Sequence, residues 1–113
     1  MCEMLAMSFK FPYDFTEYLQ IFRTRGDEHP HGWGLAFYPD IYGGAAQIIK
    51  EPVKATASKL LGFLQSYEKI QCQIAIAHVR KASLGLKVIF SNNHPFHREL
   101  HGKEYIFAHN GTL

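Results

Sequence analysis

Apolar positions along this chain fall into short runs with two spacings, one suited to strands and one to helices. Met4 to Phe9 is apolar and predicts a short buried strand with Cys2 at its head. Asp14 and Glu17 form a capping box, and Phe15, Tyr18, Leu19 and Phe22 follow at helical spacing. Arg23 and Arg25 suit the end of that helix, and Gly26 can terminate it. A polar loop with Pro30 leads into Gly32-Trp33-Gly34 and a strand from Leu35 to Tyr38. Gly43-Gly44 marks a turn into a further strand, Ala46 to Lys50. Thr56 is placed to cap a second helix carrying Ala57, Leu60, Leu61 and Leu64. Cys72 to Val79 is apolar on both faces, as expected of a strand in the middle of a layered structure. A loop through Asn92 to His94 precedes a last strand, Tyr105 to Ala108, which runs into His109-Asn110-Gly111. Strands interleaved with two helices predict an α/β or α+β layered domain.

Composition narrows the partners. With 113 residues the chain holds one core, and at 47% hydrophobic it is globular. A formal charge of +2 without a Lys/Arg run argues against nucleic acid or an anionic membrane as the main partner. Two cysteines, Cys2 and Cys72, are too few for a disulfide framework and lack metal-ligand spacing, which suits a reducing, cytoplasmic setting. Glu3 stands where an export signal needs basic residues, and no apolar segment approaches the length of a bilayer span.

Candidate chemistry begins at Cys2. Methionine is removed readily ahead of a small side chain, which would leave one residue carrying both a thiol and a free α-amine. The thiolate is a strong nucleophile, and an α-amine titrating near 7.7–8.0 can serve as its base. Alone, Met-Cys equally describes an ordinary terminus. Arg80 leaves the buried strand at its end, where its planar fork matches a carboxylate and Ser83 can add a hydroxyl donor. An isolated arginine there reads as a strand-end salt bridge. Asn110-Gly111 offers a side-chain amide and a backbone N–H, the makings of an oxyanion hole, or a plain turn. Gly32-Trp33-Gly34 either lets backbone approach the nucleophile under the indole or holds a core aromatic between glycines. His94, His97 and His101 have the spacing of a metal face on a helix, but Pro95 and the lack of matching Cys or acidic partners oppose it, so no metal is expected. His78 and His109 fall within strands and read as core groups, and Cys72 as a buried, inert thiol.

Taken in order, Met1-Cys2-Glu3, His31-Gly32-Trp33-Gly34, Ala77 through Ser83, Asn93-His94-Pro95-Phe96 and Phe107 through Gly111 resemble class II glutamine amidotransferases, members of the N-terminal nucleophile hydrolases. The likeness is nearest to the stand-alone branch that includes γ-glutamyl hydrolases. It implies an α+β fold, the N-terminal part of a four-layer αββα sandwich, with no cofactor. It implies Cys2 as nucleophile, Asn110 and Gly111 as oxyanion donors, and Arg80, Ser83, His94 and Trp33 at the substrate, which would be glutamine or another γ-glutamyl compound. Synthetase-linked members carry tryptophan and histidine where this chain has Lys81 and Leu84, which argues against glucosamine-type or purine-type synthesis. The resemblance also implies that residues 1–113 are a partial domain with its C-terminal part missing. Such a chain is expected to be a weak catalyst and to self-associate, or to act as an inactive binding or assembly module of the same fold.

Overall fold

A computed structural model describes residues 2–40, 44–67, 70–82 and 85–110. The elements run in the order β1 (Glu3–Asp14), α1 (Thr16–Arg23), β2 (Trp33–Asp40), β3 (Ala45–Glu51), α2 (Lys59–Tyr67), β4 (Gln71–Val79), β5 (Phe96–Leu100) and β6 (Lys103–Phe107), all expected from the sequence except β5. Four strands make one antiparallel sheet in the order β1-β4-β2-β3, and β5 with β6 makes a separate hairpin. The fold is α+β. Among the described residues no helix is long and apolar enough to cross a membrane.

Register explains which side chains face which layer. Glu3, Val79, Trp33 and Glu51 share one row across the sheet, and Leu5, Ala77, Leu35 and Ile49 share the next but one. Because strand side chains alternate, these rows point the same way. They join Phe15, Leu19, Ala55 and Leu61 in the main core, with Phe22 and Leu64 packed against it, so the helices cover this face. The intervening row of Met4, His78, Gly34 and Lys50 points to the opposite side. There the hairpin attaches: the Tyr38 hydroxyl donates to the Glu104 carbonyl at 2.6 Å, and the Ala46 N–H donates to the Glu104 carboxylate at 2.7 Å.

The glycine-flanked tryptophan is explained by this second attachment. A Cβ on Gly34 would run into the His94 carbonyl, and one on Gly32, whose φ is +144°, would meet the Asn93 side chain. Segment 93–95 therefore lies directly on β2, held further by the Lys50 ammonium donating to the Asn93 and Pro95 carbonyls at 2.9 and 3.1 Å. The His94–Pro95 peptide bond is cis.

Several local expectations are corrected. Asp14 does accept the Thr16 N–H at 3.1 Å, yet Phe15 occupies the N-cap and Asp14 binds the Thr16 hydroxyl at 2.7 Å as well. Ser58, not Thr56, caps α2 by accepting the Leu61 N–H at 3.0 Å, while Thr56 donates to Asp27 at 2.9 Å. β4 is interior to the sheet, but only its C-terminal end is covered on both faces, since Ile74 is 40% exposed. His97 lies on β5 and His101 in the hairpin turn at φ 53°, so these histidines share no helix. The turn expected at Gly43-Gly44 lies partly outside the described residues, although Gly44 has a φ of 66°.

Replacing Gly34 with alanine puts a methyl group against the His94 carbonyl. The expected loss is about 1–3 kcal/mol of unfolding free energy or more, checked by urea denaturation of the variant beside wild type.

Candidate functional site

Three chain segments converge at the end of β4. Residue 80 emerges beyond Val79, and its backbone is fixed by donating to Gly32 O at 2.8 Å and accepting from His31 N at 2.9 Å. The next residue, Lys81, lies against Cys2: its N–H donates to the sulfur at 3.4 Å, and Cys2 Sγ contacts the Lys81 carbonyl at 3.6 Å. Glu3 secures the strand behind Cys2, accepting from Arg25 Nε at 2.7 Å with His29 Nε2 at 3.3 Å.

A cleft of about 190 Å³ opens here, lined by Cys2, Arg80, Lys81, Leu86, Asn92, His94, Phe96 and His109. Arg80 is only 4% exposed and donates through Nη1 to the Lys87 carbonyl at 3.0 Å. Among the described residues no carboxylate pairs with it. A buried guanidinium without a counter-charge is costly, and an anionic ligand offsets that cost.

Imidazoles form the cleft's inner wall. His94 stacks on His78 with centroids 4.4 Å apart and planes 16° apart, and meets His109 edge-on at 4.4 Å. His94 Nδ1 accepts the His109 backbone N–H at 3.2 Å. Burial, then the neighbouring His94, lowers the pKa of His78 to about 3. Burial, then His109, Arg80 and Lys50, lowers that of His94 to about 4. The Lys50 amine is itself pushed down by burial, and it lies 4.8 Å over the Phe90 ring and 5.1 Å over Phe96. Among the described residues no group of three or more His, Cys, Asp or Glu is arranged to hold a metal ion.

Comparison with known proteins adds a family. The model of a family described as glutamine amidotransferases class-II matches residues 1–113. The chain belongs to the class II glutamine amidotransferases. An uncharacterized protein of Methanocaldococcus jannaschii is 46% identical over 113 residues, covering all of this chain and 30% of that protein. A protein of Escherichia coli named "Putative glutamine amidotransferase YafJ" is 36% identical over 116 residues, again covering the whole chain and 44% of the relative. A Haemophilus influenzae protein named "Putative glutamine amidotransferase" is 36% identical, with 38% of its length covered. The chain thus spans less than half the length of each of these relatives.

Within this amidotransferase chain, Cys2, Arg80 and His94 share the cleft. Asn110 is exposed and follows His109 at the cleft wall without lining it. Trp33 is placed elsewhere, 3% exposed in the helix-side core with its indole N–H on the Glu51 carboxylate at 3.0 Å. Ser83 and Gly111 lie outside the described residues. Reading the sequence missed the parts played by Lys81 N–H, Phe96, Leu86 and Asn92, because backbone donors and loop walls leave no pattern in side-chain type. His31 stands in the sequence only as the head of His31-Gly32-Trp33-Gly34, yet its Nδ1 accepts the Ala82 N–H at 2.7 Å and holds the backbone after Arg80.

The depressed imidazole pKa values make stability fall on acidification. Below about 6.5 the unfolded chain takes up protons that folded His78 and His94 refuse, so unfolding free energy declines from there towards pH 3–4. The expected loss is on the order of several kcal/mol, measured by denaturant titration across pH. A His78→Leu variant should lose less over the same window.

Proposed function

We propose that the protein is a γ-glutamyl amide hydrolase of the amidotransferase type, with Cys2 as an N-terminal nucleophile. The observation that supports this best is the shared cleft, which is lined by Cys2 together with a buried Arg80 that has no carboxylate partner among the described residues. The substrate class is glutamine or another γ-glutamyl compound. Arg80 binds the substrate α-carboxylate through its fork, with Ser83 assisting. That places the γ-carbonyl, several bonds away, near the sulfur.

With Met1 removed, the Cys2 α-amine takes the thiol proton and the thiolate adds to the γ-carbonyl carbon. The carbonyl π electrons move to oxygen, and the oxyanion is held by the Asn110 side-chain amide and the Gly111 N–H. Collapse breaks the C–N bond, and the leaving nitrogen departs as ammonia or an amine carrying the proton from the α-amine. Water then adds to the thioester, and loss of the thiolate gives the γ-carboxylate. The net reaction consumes one water and releases glutamate with ammonia or the amine. A cytoplasmic setting suits a nucleophilic thiol that must stay reduced.

We also propose that residues 1–113 are part of a longer amidotransferase domain. The relatives' greater length supports this, as does the apolar surface left on the hairpin side of the sheet, where Met4 is 37% and Ile74 40% exposed. The same surface favours a second reading, in which the chain is an assembly module without catalysis, or self-associates through that face.

Covalent labelling separates the two. A glutamine-like electrophile is expected to modify Cys2 stoichiometrically by mass spectrometry, with Arg80→Ala slowing labelling by about 100-fold through loss of a charge-assisted pair. Labelling that bypasses Cys2, or is indifferent to Arg80, selects the assembly module. Asn110→Ala is expected to lower kcat by about 100- to 1,000-fold while leaving KM near wild type in steady-state ammonia release.

A further inference from the structure

The β6 ladder ends at Phe107, so sheet hydrogen bonding does not set the direction of residues 108–110. Among the described residues, the partner of the His109 N–H is His94 Nδ1, at 3.2 Å. That bond orients the Ala108–His109 peptide, one residue ahead of Asn110. The His94 ring is itself immobilised, 7% exposed between the His78 ring at 4.4 Å, the His109 ring at 4.4 Å and the Phe96 ring at 4.4 Å. Its backbone is seated on β2 where Gly34 leaves room for the carbonyl.

We propose that His94 is a positioning residue whose Nδ1, by holding the His109 N–H, aims Asn110 at the reacting carbonyl, rather than a group that binds substrate. This rests on the hydrolase reading above. An accepting Nδ1 carries no proton, so the neutral ring holds its proton on Nε2. The groups facing His94 are His78 and Arg80 from β4 and its end, His109 beyond β6, Lys50 on β3 and Phe96 on β5. None is a carboxylate, and the charged ones are cations, so the surroundings hold the ring neutral at ordinary pH. Protonation in acid would set a donor against the His109 N–H and release that peptide.

The test is a pair of substitutions with different atoms in place of Nδ1. His94→Phe keeps an aromatic ring in the stack but has no acceptor, while the Oδ1 of His94→Asn falls near the position of Nδ1. For γ-amide hydrolysis, His94→Phe is expected to lower kcat on the order of 100-fold by misplacing the donors, with KM within about twofold. His94→Asn should recover most of that loss. Alkylation of Cys2 by iodoacetamide, which forms no oxyanion, should proceed at the wild-type rate in both variants. Wild-type kcat in a folded His94→Phe protein, or equal losses in the two variants, would overturn the proposal. So would a rise in KM with kcat unchanged. Nitrogen-15 NMR of histidine-labelled wild type gives a readout independent of catalysis and of variant folding. It should show His94 Nδ1 unprotonated at neutral pH; a protonated Nδ1 sinks the inference. Failure of wild type to label at Cys2 with the glutamine-like electrophile would instead remove the hydrolase reading, whatever the NMR shows.

Discussion

Everything on the cleft side of the sheet follows from two missing side chains on either side of Trp33. Only because Gly32 and Gly34 leave β2 bare there can residues 93–95 lie against the strand, with the Asn93 amide donating to the Glu51 carbonyl. That crossing delivers His94 to the end of β4, and from His94 the chain runs on into the hairpin. The indole between the glycines points the other way, into the core under the helices. One tripeptide therefore joins the helix layer, the sheet and the cleft wall, and its glycines matter more to the site than its aromatic ring.

The electrostatics of the cleft are one-sided. Arg80 and Lys50 are both cations withdrawn from water, and between them lie imidazoles kept neutral by burial. Their partners are carbonyl oxygens: Lys87 for Arg80, and Asn93 and Pro95 for Lys50. Carbonyl dipoles solvate a cation without neutralising it. The local field thus stays positive in the cleft, which favours a bound carboxylate. Stability and ligand preference are linked here, since the same burial that raises the energy of the empty cleft sharpens its selection for an anion.

Much of the framework was readable because hydrophobic spacing reports burial. Leu5 and Met7 face the core from β1, and Leu19, Phe22, Leu61 and Leu64 do so from the helices, as their periodicity required. The hairpin's first strand escaped notice because Phe96–Leu100 carries His97, Arg98 and Glu99 in its middle and faces water. Its turn, His101-Gly102, has positive φ at both positions, as a two-residue hairpin needs, yet histidine is an uncommon turn signal. Helix starts slipped by a residue or two because Asp14, Thr56 and Ser58 all offer cap oxygens, and tertiary contacts chose among them. At the site, Cys2 and Arg80 were legible as reactive types in a suitable order. What the sequence could not show is that Trp33 turns away from them, since strand parity depends on register and not on spacing within the motif.

The hairpin is fastened to the main sheet at two separated places: residues 93–95 on Gly34, and Glu104 on Tyr38, Gly44 and Ala46. A ribbon riveted at both ends cannot swing about either one. The wall that carries Phe96 and leads to His109 is consequently a rigid jaw, braced from a strand edge well away from the sulfur. Damage to the distant rivet, at the Glu104 carboxylate, would be transmitted along the ribbon as misalignment of the imidazole wall rather than as local fraying.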